Sequence, residues 1–240
     1  ILAAILLKLG TYGFVRIAIP TLPDAAVAWA PWIGALAVVG IIYGALGCLA
    51  QTDMKRLIAF SSVAHMGFVM LGISTLTPLG INAALFGMVA HGLITGMLFF
   101  IAGSVKERYH TLEIKRLSGM LKQMPRLGWI LGFCAMASLG LPGLAGFWGE
   151  FPAILSAYQP AAGLPEETFR TFMVVAALGF ASNNDEPQNH VPAIDYREVW
   201  DRFAAANEAE MPSDEGDLMD VLVGALERAR EEWSDGIASL

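Results

Sequence analysis

Four side chains able to hold a proton lie inside stretches that are otherwise apolar: Lys8, His65, His91 and Glu150. Lys8 stands in Leu6-Leu7-Lys8-Leu9. A Lys at the centre of a membrane helix costs about 2.5–3.5 kcal/mol on insertion scales. One substitution would remove that cost, so its presence points to proton or ion work; the plainer alternative is a structural Lys paired with a carboxylate. Glu150 stands in Gly146-Phe147-Trp148-Gly149-Glu150-Phe151, the only carboxylate within a long apolar run. A carboxylate at membrane depth is a candidate proton relay, with an ion-paired structural Glu as the alternative. His65 and His91 belong to two further runs. An imidazole passes a proton between its two nitrogens and titrates near neutrality. Taken singly, each His is more often a hydrogen-bonded packing residue. Two His, one Lys and one Glu together read as a proton relay. No metal site is expected, because the histidines come from separate runs and only one carboxylate accompanies them.

The composition says what must position these groups. The chain has 240 residues, 55% hydrophobic and 15% charged, with a mean hydropathy of +0.55. A soluble domain carries about 25% charged residues, so a cytosolic enzyme is disfavoured and a membrane protein favoured. The net charge of −7 hides a split. Residues 1–182 hold 11 Lys/Arg against 7 Asp/Glu, and residues 183–240 hold 4 Arg against 15 Asp/Glu. The acidity therefore belongs to the tail. Cys48 and Cys134 both lie in apolar surroundings and form no CxxC, zinc or iron–sulfur pattern.

Apolar runs cover Ile1–Pro20, Trp32–Ala50, Leu57–Leu76 and Ile81–Val105. Each has about the 20 residues needed to cross ~30 Å of hydrocarbon. The first lacks a Met and a basic leader, so it reads as a chain entered part-way rather than as a signal peptide. The fifth run, Leu127–Tyr158, has 32 residues and contains Gly140-Leu141-Pro142-Gly143. Gly140, Pro142 and Gly143 should break its helix, as in transporters whose ion sites lie at such breaks. The plainer alternative is a re-entrant turn without function. A sixth run, Phe169–Ser182, has 14 residues and is too short to span.

Fold class is thus all-α and polytopic, with five or six membrane segments over 1–182. Residues 183–240 are expected to form a small acidic helical domain, with helices over Asp195–Ala206 and Asp214–Trp233 and Ser213 as N-cap. The loop at 51–56, with Asp53, Lys55 and Arg56, and the loop at 106–126, with six basic residues, should face the cytoplasm. Those near 20–31, 75–80 and 159–168 hold no Lys or Arg. No dinucleotide fingerprint, P-loop, GxSxG or HExxH occurs, so no cofactor and no redox centre are expected on this chain. The basic loop reads as a topology signal, with lipid and protons as partners and no nucleic acid.

Residues 1–180 resemble the proton-pumping, antiporter-like membrane subunits of respiratory NADH:quinone oxidoreductase (complex I), in the branch called subunit M or chain 4. The resemblance is carried by Ile5-Leu6-Leu7-Lys8, by 49–62 (Leu-Ala-Gln-Thr-Asp-Met-Lys-Arg-Leu-Ile-Ala-Phe-Ser-Ser), by His65-Met66-Gly67-Phe68 and by His91-Gly92-Leu93. Glu107-Arg108-Tyr109-His110-Thr111, Leu139-Gly140-Leu141-Pro142-Gly143 and Phe147-Trp148-Gly149-Glu150-Phe151 complete it. His65 and Glu150 favour subunit M, because subunit L tends to have Gln and Lys there.

The resemblance implies an inverted-repeat antiporter fold. Lys8 would be its central-axis lysine, His65 and His91 members of a hydrated polar axis, and Glu150 the terminal carboxylate on a broken helix. It implies a translocase subunit in a bacterial inner membrane, moving protons as electrons pass from NADH to quinone elsewhere. It also implies a partial chain, since the family's first repeat lies upstream and the acidic tail has no counterpart. Two alternatives are a subunit of a multi-subunit cation/proton antiporter and a non-transporting membrane anchor for the tail.

Overall fold

The structure, a computed structural model, describes residues 2–117 and 120–184. The expected tail helices lie outside the described residues. Among the described residues the regular structure is helical, apart from a single bridge between Asp53 and Glu113. Helix α1 covers residues 2–21 and alternates in pitch. It is π-wound over Leu2–Leu6 and Phe14–Ala18, and α-wound over Leu7–Gly13 and Ile19–Thr21. Helix α2 is Pro23–Leu49, α3 is Met54–Ser74 and α4 is Pro78–Tyr109. The broken fifth run gives α5, Pro125–Ser138, and α6, Ala145–Ser156. Helix α7 is Glu166–Asn184.

Four of these helices, α1 to α4, are long and apolar enough to cross a membrane. The fifth run breaks where Gly140 and Gly143 adopt φ of +69° and +93°, a region glycine enters at little cost. The sixth run forms a 19-residue helix.

Two boundaries differ from the sequence reading. The expected loop near 20–31 is a single-residue turn at Leu22, and α2 starts at Pro23, with Pro31 inside it. Pro23 is well placed in the first turn, where its missing N–H is not needed, and Asp24 suits the positive end of the helix dipole. Pro31 removes only one ladder bond, and in an apolar medium the chain keeps the rest of the helix. Lys55 and Arg56 stand in the first turn of α3 rather than in a loop. The cause is Asp53, whose carboxylate caps that helix by accepting from the Lys55 and Arg56 amides at 2.9 and 3.0 Å.

Both ends of the bundle are tied. At one end Met54 N–H donates to Leu112 O and Ile114 N–H to Thr52 O, each at 3.0 Å. These bonds bring the two basic segments together. At the other end Ala161 N–H donates to Thr75 O at 3.0 Å, joining two connections without Lys or Arg. Asp53→Ala is expected to cost about 1 kcal/mol of local stability at this latch. Faster amide hydrogen exchange at Lys55 and Arg56, with exchange at the α3 centre unchanged, is the measurement.

One core gathers Ile41 of α2, Phe68 and Leu71 of α3, Ile154 of α6 and Phe169 of α7. A second gathers Met66, Val69 and Ile73 of α3 with Ala84 and Met88 of α4, and Val15 and Ile19 of α1 pack against it. Helix α1 turns Lys8 and Thr11 inward, where they are buried, while Ile5, Leu9, Tyr12, Arg16 and Ile17 are exposed. That arrangement suits a helix whose outer face meets lipid.

Candidate proton-transfer site

Helices α3, α4, α5 and α6 converge on a cavity of about 20 Å³ lined by His65, His91, Ser138 and Glu150. The close approach depends on missing side chains. A Cβ at Gly149 would stand 2.6 Å from the Cα of Gly87, so α6 and α4 meet backbone to backbone. Gly149 immediately precedes Glu150, and Gly87 lies one turn before His91. This contact brings the carboxylate and that imidazole to one place.

The broken helix supplies the rest. Glu150 lies on α6, and its Oε2 rests against Gly140, where an added Cβ would come within 3.4 Å of it and 2.9 Å of the Phe180 ring. The break is therefore packed from α7 as well. His65 of α3 bridges the two halves. Its Nδ1 is hydrogen-bonded to Glu150 Oε1, and its Nε2 lies 3.1 Å from Ser138 Oγ, at the end of α5.

All the titratable groups of the cluster are buried, with exposures of 5% for His65, 7% for His91, 6% for Glu150 and 9% for Lys8. The His91 and His65 rings lie 5.3 Å apart between centroids. His91 Nε2 is 3.1 Å from Thr95 Oγ1, one turn along α4. His91 Nδ1 and Glu150 Oε2 have no hydrogen-bond partner among the described residues, and both residues line the cavity. A space of that size takes one water molecule.

Lys8 approaches from α1. Thr11, three residues on, donates to the Lys8 carbonyl at 2.9 Å and also lies 2.7 Å from Met88 Sδ on α4. Ala4 meets α4 at Gly92, so the α1 face carrying Ala4, Lys8 and Thr11 is the one turned toward His91.

Three of the four sequence candidates are thus brought together, His91 beside His65 and His65 bonded to Glu150, while Lys8 is buried on the face of α1 that packs on α4. Gly140 and Gly143 form the break beneath them, with Pro142 in the turn between. Asp53, Lys55 and Arg56 stay apart, at the latched end of the bundle. Two participants escaped the sequence reading, Ser138 and Thr95. The only sequence signal for Ser138 was a hydroxyl two residues before a break-forming glycine.

Comparisons with known proteins place the chain in a family. Residues 1–164 match the transmembrane family described as NADH:quinone oxidoreductase/Mrp antiporter. The chain is 46% identical over 180 residues to NAD(P)H-quinone oxidoreductase chain 4 1 of Synechococcus sp. (strain JA-2-3B'a(2-13)), covering 75% of this chain and 34% of that protein. It is 47% identical over 159 residues to NADH-quinone oxidoreductase subunit M of Rickettsia bellii, covering 66% and 32%. Among solved structures it is similar to a chain of respiratory complex I from Thermus thermophilus, with a TM-score of 0.64 and 33% identity. That match covers 79% of this chain and 39% of the other. The chain spans about a third of the length of the curated relatives it matches.

Proposed function

This chain belongs to the NADH:quinone oxidoreductase/Mrp antiporter transmembrane family, and on that premise we propose that it carries part of a proton path in a complex I membrane subunit. The observation that carries the reading is the buried His65–Glu150 hydrogen bond at the helix break, with the His91 ring tilted beside it. Lys8 holds the proton on the α1 side. His91 and His65 pass it across α4 and α3, each through two ring nitrogens. Glu150 receives it. A water in the cavity would join His91 Nδ1 to Glu150 Oε2 and offer a second branch. A charge arriving near Lys8 then favours release toward Glu150, because the two sites are coupled through a low-dielectric interior.

NADH oxidation and quinone reduction fall to other subunits, since this sequence holds no nucleotide, flavin or iron–sulfur motif. Those subunits and the lipid bilayer are its partners. The bacterial inner membrane is its location, with the latched basic end in the cytoplasm, in keeping with the bacterial relatives and the Lys/Arg bias.

Lys8→Met is the test. Insertion should become easier by about 2.5–3.5 kcal/mol, because a buried cation is removed. Proton uptake by vesicles holding the assembled complex should fall by at least ~10²-fold, the scale for losing a positioned proton carrier. Full uptake in this variant overturns the path. The Mrp half of the family description carries a second reading, cation/proton antiport, which predicts that uptake depends on sodium.

A further inference from the structure

His65 is held at both ring nitrogens by the two halves of one broken helix, Glu150 on α6 at Nδ1 and Ser138 on α5 at Nε2. We propose that Ser138 is a positioning residue, whose hydroxyl fixes the His65 ring so that Nδ1 and its proton face Glu150. The inference rests on the reading of His65 and Glu150 as proton-exchanging partners.

A neutral imidazole has one donor nitrogen and one acceptor nitrogen. Against a carboxylate oxygen, which only accepts, Nδ1 must be the donor. Nε2 is then an acceptor and needs a donor of its own. Ser138 Oγ, at 3.1 Å, is the group that supplies it. Which nitrogen of a histidine carries the proton is set by the bond the other one makes.

Serine suits both stages of a transfer, because its hydroxyl donates and accepts. When imidazolium passes its Nδ1 proton to the Glu150 carboxylate, the N–H bond breaks and an O–H bond forms. A neutral ring with its proton on Nε2 and a neutral carboxylic acid remain. The Ser138 hydroxyl, which donates to the neutral Nδ1–H ring, turns to accept when Nε2 gains its proton and goes on accepting after Nδ1 has given its proton up. The ring stays in place through the exchange without a change of backbone. The other titratable ring packed on His65 is His91, 5.3 Å away between centroids, and its Nε2 lies 3.1 Å from Thr95 Oγ1. Ser138 is the last residue of α5, so any shift of that half-helix against α6 would act directly on the His65 ring.

The test compares Ser138→Val with Ser138→Thr, which share a shape and differ in the hydroxyl. The full chain is reconstituted in lipid nanodiscs with nitrogen-15 histidine, and the His65 signals are identified by their loss in His65→Gln. The native chain and Ser138→Thr should give one His65 tautomer with a hydrogen-bonded Nε2 signal. Ser138→Val should lose that signal and show mixed ring tautomers. An unchanged His65 spectrum in Ser138→Val overturns the proposal, and so does loss of the native spectrum in a folded Ser138→Thr. Glu150→Gln is measured alongside. If it leaves His65 unchanged, the proton-pair reading itself fails; if it shifts His65 while Ser138→Val does not, only the role of Ser138 fails.

Discussion

Replacing Glu150 by Gln is expected to slow proton transfer on the order of 10²–10⁴-fold while leaving the bundle folded. Gln fills nearly the same space, and its amide still offers His65 Nδ1 a hydrogen-bond partner across the α3–α6 contact. What it lacks is a site that binds and releases a proton. The substitution therefore separates chemistry from packing, which a change to Ala would confound by leaving a hole and an unpaired His65. The measurement is proton pumping by the assembled complex in sealed vesicles, alongside its thermal unfolding. Slow pumping with unchanged unfolding fits the path from Lys8 to Glu150. Unchanged pumping removes Glu150 from it.

The largest structural effect is expected at Gly149. Gly149→Leu places a branched side chain where a Cβ alone would stand 2.6 Å from the Gly87 Cα. The obstacle is backbone, so no side chain can turn aside. Helices α4 and α6 must separate, and the cost is about 3 kcal/mol, at the upper end for overpacking. The His65–Glu150 bond should be lost with it, because α6 carries the carboxylate. Gly103→Leu is the control, since nothing lies within 4 Å of a Cβ there. Its effect should stay within about 0.5 kcal/mol. Unfolding in mixed micelles measures both, and equal stability of the two variants would contradict the close helix contact.

The sequence exposed the parts of this site that are costly in a membrane. Lys8, His65, His91 and Glu150 stood out because an apolar medium penalises each of them. The break stood out because Gly140, Pro142 and Gly143 cannot sustain a helical ladder together. Cheap features were hidden. Ser138 and Thr95 look like ordinary span residues, since a hydroxyl can satisfy itself on its own helix and gives no sign of a distant partner. The packing of Gly149 on Gly87 was hidden for another reason: glycines are frequent in membrane helices, and pairing two of them requires the tertiary structure. The start of α2 was hidden because it precedes the apolar run at Trp32, with Pro23 and Asp24 in its first turn.

The inverted character of α1 governs how the protein can be handled. Most of its apolar side chains face outward, and Thr11, near the buried Lys8, ties it to Met88 of α4. Apart from the packing of Val15 and Ile19 on the α3–α4 core, little of its apolar surface is covered once the bilayer is gone. A short-chain detergent that competes for that outer surface should strip α1 away first and carry Lys8 with it. The His65–Glu150 pair, enclosed by α3 to α6, would survive such treatment. A sample can thus look intact by its core and yet have lost one end of its proton path, so the solubilising medium belongs among the variables of every transport measurement.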